Sequence, residues 1–263
     1  MIKQPHELAR MAESGQLLAS VFEALDALPL EGMNTLQVND WVERFIVHEL
    51  KARPASKGQY GFAYVLNSSI DNVVCHGVPS TSDVLRNGSI VNFDITLEKN
   101  GYIADSSKMY LIGNVSHPAR RLVRATSEAM WKGIAAVRPG ATLGDVGFAI
   151  QQHAKAAGYS VVREYCGHGI GREMHEEPQV LHYGRRGSGL VLQPGMTFTI
   201  EPMINQGRAA IDSSDDGWTV TTRDGKLSAQ CEHTVEVTPE GVKVLTLRKE
   251  EQALAARIPG AGC

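Results

Sequence analysis

Apolar residues recur at helical spacing from the start of the chain. Leu8, Met11, Ala12, Leu18, Phe22 and Leu25 share one stripe, which predicts a helix that opens near Pro5 and ends before Pro29. Pro5 suits a helix start, where a missing N–H leaves no bond unmade. A second stripe, Val38, Trp41, Val42, Phe45 and Ile46, predicts a helix over residues 36–50. After Lys51 the period changes: Tyr60, Phe62, Tyr64, Val73 and Val74, with Gly58 and Gly61 among them, point to short strands and loops. Residues 90–97 (IVNFDITL) read as a strand, 98–101 as a turn around Asn100-Gly101, and 102–112 as the returning strand.

The second half repeats this order. Pro118 opens a helix with Leu122, Thr126, Met130, Ile134 and Val137 on one face. Leu143, Val146, Ile150, His153 and Ala154 mark the next, closed at Gly158. A glycine-rich stretch at 167–171 precedes strands over 196–204 and 227–238, with a turn at 223–226 before the latter. ELARMA at 7–12 matches RLVRAT at 121–126, 114 residues on, and Gly32 matches Gly140 at an offset of 108. Gly88 and Asp94 match Gly195 and Glu201 at an offset of 107. Near-constant offsets in one order predict two helix–helix–strand–strand halves, about 5–113 and 118–247, packed as one pseudo-symmetric unit. The expectation is a single catalytic domain over 1–263, with 248–263 a peripheral tail.

Composition narrows the class. The 263 residues carry 26 Lys+Arg against 29 Asp+Glu, a net charge of -3 that offers no surface for nucleic acid or anionic lipid. No apolar run approaches the roughly 18 residues of a membrane span. The first residues mix His, Glu, Lys and Arg, unlike a signal peptide. Cys75, Cys166, Cys231 and Cys263 are scattered without a CxxC pair, which fits a reducing, cytoplasmic setting. An enzyme or binding domain without nucleic-acid or membrane partners remains.

The chemistry lies in misplaced carboxylates. Asp94 interrupts an apolar strand, where a carboxylate is costly unless it is paired or binds a cation. A four-residue loop at 98–101 would set Asp94 directly opposite Asp105. A two-residue Asn100-Gly101 turn would set Asp105 opposite Thr96 instead; either register puts both carboxylates on one face of the hairpin. Glu201 takes the place of Asp94 in the repeat, and Glu232 lies on the strand expected beside it. His168 sits between glycines, and His175 follows seven residues later. Pseudo-symmetry is expected to bring the two hairpins face to face. Four carboxylates balance two divalent cations, and oxygen-rich ligation with one nitrogen suits Mn²⁺, Fe²⁺ or Co²⁺, with Zn²⁺ also compatible. Two such ions activate water for hydrolysis at neutral pH.

VVCHGVP at 73–79, IVNFDIT at 90–96, DSSKM at 105–109, EYCGHGIGREMHEEP at 164–178, FTIEP at 198–202 and SAQCEHT at 228–234 closely resemble type I methionine aminopeptidases. The resemblance spans roughly residues 5–247 and implies the pita-bread α/β (α+β) fold, a curved antiparallel sheet with two helix pairs outside. It implies metal ligation by Asp94, Asp105, His168, Glu201 and Glu232, with Asp105 and Glu232 shared by both ions. It further implies that a metal-bridging hydroxide attacks the carbonyl of an N-terminal methionine followed by a small residue. Glu201 would shuttle protons, and His76 and His175 would contact the first peptide group. Nascent chains would be the substrates and a monomer the working form.

The 31 residues between Glu201 and Glu232 leave no room for the long helical insertion of type II enzymes. The chain also begins almost at its first helix, so a bacterial-style form without a zinc-finger extension is expected. Phe62 and Trp218 match the family's methionine pocket. Gln59, Asn67 and Met174 depart from it, standing for an aromatic residue, a cysteine and a phenylalanine, so altered affinity or second-residue tolerance is expected. The alternatives are an X-Pro aminopeptidase of the same fold, or a catalytically impaired or purely binding relative.

Overall fold

In the computed structural model, residues 1–258 are described. The two halves begin with helix pairs, α1 (Pro5–Leu25) with α2 (Thr35–Arg44), and α3 (His117–Ala135) with α4 (Leu143–Ala156). A short α5 (Gln252–Ala255) follows near the end. The first strands are β1 (Arg53–Pro54), β2 (Leu66–Ile70), β3 (Val73–Cys75), β4 (Ile90–Lys99) and β5 (Tyr102–Leu111). Next come β6 (Ser160–Val161), β7 (Gly167–Gly169), β8 (Glu176–Val180), β9 (Thr197–Ile200) and β10 (Met203–Asn205). The last are β11 (Ile211–Ser213), β12 (Val220–Thr222), β13 (Ser228–Gln230), β14 (Glu232–Val237) and β15 (Val242–Val244). A nine-stranded antiparallel sheet runs β1-β4-β5-β14-β9-β7-β8, with β2 also on β4 and β15 also on β14. It is the curled sheet of the pita-bread fold.

The pseudo-two-fold symmetry is visible bond by bond. Gly32 N–H donates to Leu85 O (2.8 Å), and Gly140 N–H donates to Leu192 O (3.0 Å). Leu85 N–H returns to Met33 O as Leu192 N–H returns to Ala141 O, both at 2.8 Å. The second helix of each pair carries a reciprocal capping box, Asn34 with Gln37 on α2 and Thr142 with Asp145 on α4. Beyond Arg44, α2 continues as one π-helical turn, Phe45–Glu49, within the stretch expected to be helical.

Strand alternation separates core from cleft. Val91, Phe93, Ile95 and Leu97 of β4 pack with Leu18, Phe22, Val38 and Val42 of the first helix pair. Phe198 and Ile200 of β9, with Val235 and Val237 of β14, pack with Leu122, Ile134, Val146 and Ile150 of the second. Each buried side chain of this size stabilises the fold by about 1.5–3 kcal/mol. The intervening positions, among them Asp94, Thr96 and Asp105, face the opposite side and line a cleft of about 520 Å³.

Asn100 and Gly101 adopt φ of 54° and 80°, so a two-residue turn closes the β4–β5 hairpin. Thr96 therefore faces Asp105, and Asp94 faces Ser107. The two hairpins are not face to face but edge to edge in one sheet, with Glu232 opposite Ser107 and His233 opposite Ser106. That arrangement satisfies backbone groups which two separate edges would leave unpaired.

The strands expected over 196–204 and 227–238 are each broken. Pro202 has no N–H with which to continue the ladder. Beyond it, β10 leaves to join β13 and β6 in a second, three-stranded sheet. The expected peripheral tail also needs correction where it is described. Arg248 is only 3% exposed, and its guanidinium donates to Ser106 Oγ (3.2 Å), Ser107 O (3.5 Å) and Glu251 Oε1 (2.7 Å). A buried guanidinium needs such partners, and they tie the tail to β5. Residues 259–263, including Cys263, lie outside the described residues. Among the described residues, no helix is long and apolar enough to cross a membrane.

Candidate metal centre

Five neighbouring strands each bring one candidate ligand to the cleft. Across the sheet they are Asp94 on β4, Asp105 on β5, Glu232 on β14, Glu201 at the end of β9 and His168 on β7. Ligand atoms of Asp105, His168 and Glu232 lie within 4.8 Å of one another. His168 Nε2 stands 3.4 Å from Glu201 Oε1 and 3.8 Å from Asp105 Oδ2.

Surrounding residues account for three of these placements. The glycines flanking His168 allow its strand to slide between two others: a Cβ on Gly167 would meet Thr199 O at 2.4 Å, and one on Gly169 would meet Glu177 O at 2.1 Å. His168 Nδ1–H donates to Gly169 O (3.0 Å), which leaves the Nε2 lone pair free for a cation. Glu201 sits at the strand break, where its N–H donates to Nε2 of the buried His182 (3.1 Å) instead of a ladder partner. Thr199 Oγ–H donates to Glu201 Oε1 (2.7 Å). Asp105 is gripped by Thr234, whose Oγ1 accepts from Asp105 N–H (3.1 Å) and donates to Asp105 O (2.7 Å).

The electrostatics ask for positive charge. Burial, then Asp94 and Glu201, hold Asp105 well above the usual carboxylate range. Burial, then Asp105, Glu201 and Asp94, do the same to Glu232. Burial pushes Glu201 up to about 8, against the Thr199 hydrogen bond and with help from Asp94. It pushes Asp94 up to about 7, although a hydrogen bond with Asp105 holds it down. Burial, then the neighbouring His175, lowers His168 to about 4, so its imidazole is neutral, as a ligand must be. Asp105 Oδ1 and Glu232 Oε1 are buried without a hydrogen-bond partner. Buried acceptors facing one another without donors fit a divalent cation.

A pH dependence follows for metal-free protein. The unfolded chain ionises its carboxyls near pH 4 and half-neutralises its histidines at about pH 6.5. From about 6.5 to about 8 the folded cleft therefore binds more protons than the unfolded chain, and stability falls as pH rises. The lowered histidines work in the opposite sense, mainly below this window and fading across its first unit, where the raised carboxyls of Asp94, Asp105, Glu201 and Glu232 outweigh them. Thermal melts of metal-free protein are expected to show a Tm that drops across it, with saturating Mn²⁺ removing the drop. A metal-free Tm that climbs with pH there would contradict the repulsion.

Every residue singled out from sequence lines this one cleft, including His76, His175, Phe62, Asn67 and Trp218. The Phe62 and Trp218 rings meet at 4.9 Å, with Met174 and Met203 also on the wall. Asn67 pairs with Asp94 in the β2–β4 ladder, and Gln59 lies on the rim. His76 adopts φ 56° at the end of β3, its ring edge-on to Tyr165 at 5.3 Å. Sequence alone gives Thr199, His182 and Tyr60 no role at the site. Thr199 adjoins Glu201 in the FTIEP motif, and Tyr60 is an aromatic residue in a glycine turn, but His182 carries no sequence signal.

The profile of metallopeptidase family M24 matches residues 9–239. Methionine aminopeptidase B of Synechocystis is 49% identical over 245 residues, 92% of this chain and 89% of the relative. The methionine aminopeptidase of Escherichia coli K12 is 46% identical over 250 residues, covering 95% of each chain. The crystal structure of methionine aminopeptidase from Rickettsia prowazekii superposes with a TM-score of 0.91 at 46% identity, over 94% of this chain and 99% of the other. The chain thus belongs to metallopeptidase family M24, on its methionine aminopeptidase branch.

Proposed function

We propose that this protein is a cytoplasmic, two-metal exopeptidase that releases the N-terminal methionine from nascent proteins and peptides with a small second residue. The observation that supports this most is the row of five candidate ligands on five adjacent strands, around carboxylate oxygens that have no other partner. Asp94, Asp105 and Glu232 would hold one ion, and Asp105, Glu232, His168 and Glu201 the other. Mn²⁺, Fe²⁺ or Co²⁺ suits that oxygen-rich set. Bound there, the divalent metal supplies the Lewis acidity that polarises a peptide carbonyl and acidifies water.

The chain's own residues do the rest. Phe62, Trp218 and Met174 form the apolar wall for a methionine side chain, and the amides of Asn67 and Gln59 modify it. His76 and His175 donate to the first peptide group and stabilise negative charge on its oxygen in the transition state. Glu201, whose Oε1 accepts from Thr199, takes a proton from water and passes it to the departing amine. No surface for nucleic acid or membrane enters this reading, and the working form is a monomer. The full ligand set weighs against a binding relative that has given up its metals.

Chelated protein is expected to release no methionine from Met-Ala-Ser, and added Mn²⁺, Fe²⁺ or Co²⁺ to restore release. Xaa-Pro peptides are expected to remain intact. Undiminished activity in chelator, or preferential cleavage before proline, would overturn the proposal.

A further inference from the structure

Tyr60 stands at the rim of the cleft with 74% of its surface exposed. Its backbone is left-handed (φ 49°, ψ 23°), a conformation unfavourable for a bulky residue. A tight turn holds it there: Gln59 N–H donates to Ser56 O, Gly61 N–H to Gly58 O, Phe62 N–H to Gln59 O and Gly58 N–H to Phe62 O. The turn lays the phenol ring almost parallel to the His175 imidazole, with centroids 5.8 Å apart and planes 10° apart. Tyr60 Oη lies 3.3 Å from His175 Nδ1. Local strain combined with one specific contact is a mark of function.

We propose that Tyr60 is a positioning residue that fixes the tautomer and ring orientation of His175, a role that rests on His175 acting as a donor to substrate. A phenol can donate or accept; in this role it donates to Nδ1, which places the hydrogen of the neutral ring on Nε2. That Nε2–H is then the one ring donor available to a peptide carbonyl. His168, whose ring centroid is 4.4 Å away, receives the opposite instruction. Its Nδ1 faces the carbonyl of Gly169, which can only accept, so its Nε2 keeps a lone pair. A carbonyl behind one imidazole and a phenol behind the other sort two touching histidines into a ligand and a donor. Without the phenol, His175 would divide between tautomers, and some molecules would present a lone pair to the substrate carbonyl.

The test compares Tyr60→Phe, which keeps the stacked ring and removes only the hydroxyl, with wild type. In the Mn²⁺-loaded enzyme acting on Met-Ala-Ser, Tyr60→Phe is expected to lower kcat about fivefold to tenfold, the share of one hydrogen bond, with KM nearly unchanged. In a His175→Ala background the same change is expected to have no further effect, because its target is gone. Nitrogen-15 correlation spectra of the zinc-loaded protein, with the His175 signals identified by their loss in His175→Ala, are expected to place the proton on Nε2 in wild type and on both nitrogens in Tyr60→Phe. A wild-type kcat with an unaltered tautomer in Tyr60→Phe would overturn the proposal, as would an equal loss in both backgrounds. A fully active His175→Ala would instead overturn the donor reading of His175 itself.

Discussion

Replacing Asp105 by asparagine is expected to empty the cleft of metal and end turnover. Asp105 lies at the crossing of the site: the charges of Asp94 and Glu201 act on its carboxyl, and it forms one cluster with His168 and Glu232. An amide keeps the shape but removes the charge that both proposed ions share. Changing groups that merely support a metal ligand typically costs 10–100-fold in affinity or activity, so losing the ligand itself is expected to cost more than about a hundredfold in kcat/KM. The same substitution carries an opposite signature in metal-free protein. Burial and the charges of Asp94 and Glu201 penalise ionised Asp105 in the folded state, and the amide removes that penalty. Metal-free Asp105→Asn is therefore expected to melt above metal-free wild type at pH 8, by about 2–4 °C for each kcal/mol relieved. With Mn²⁺ present the order is expected to reverse. Metal analysis and paired melts check both halves; near-normal activity with full metal content would contradict the shared role.

His175→Ala is expected to lower kcat by about two orders of magnitude while metal content stays unchanged. The size is that of one lost donor to a developing oxyanion. The imidazole suits this work because burial lowers its pKa and keeps the ring neutral at working pH. It also borders the proposed ligands, with His168 4.4 Å away between ring centroids. Metal content is therefore the decisive control: loss of metal in this variant would make His175 a ligand and not a donor.

The parts of the fold legible in the sequence are those where one strong pattern acts locally. The stripes of Leu18, Phe22 and Leu25, and of Leu122, Met130 and Ile134, fix the helices because each faces one apolar layer. Asp94 and Glu201 stand out because carboxylates interrupt runs that otherwise point to burial. The hairpin register was ambiguous, since 98–101 permits two turns and only the backbone angles of Asn100 and Gly101 select one. Other long-range contacts left no trace. Arg248 looks like an ordinary basic residue of a tail until Ser106, 142 positions away, is seen to meet it. Tyr60 and His175 are 115 residues apart and meet through a strained turn that no periodicity reports. The break at Pro202 was visible as a residue, but its consequence was not: it frees the Glu201 N–H for His182 and steers β10 into another sheet.

The central claim is that carboxylates on adjacent strands hold divalent metal beside His168. Crystals soaked in Mn²⁺ and measured for anomalous scattering at the manganese edge test it most directly. The account predicts two strong peaks in the cleft, both in contact with Asp105 and Glu232, one also with Asp94 and the other with His168 and Glu201. A cleft without anomalous signal at saturating Mn²⁺, with those five side chains turned away from one another, would contradict it.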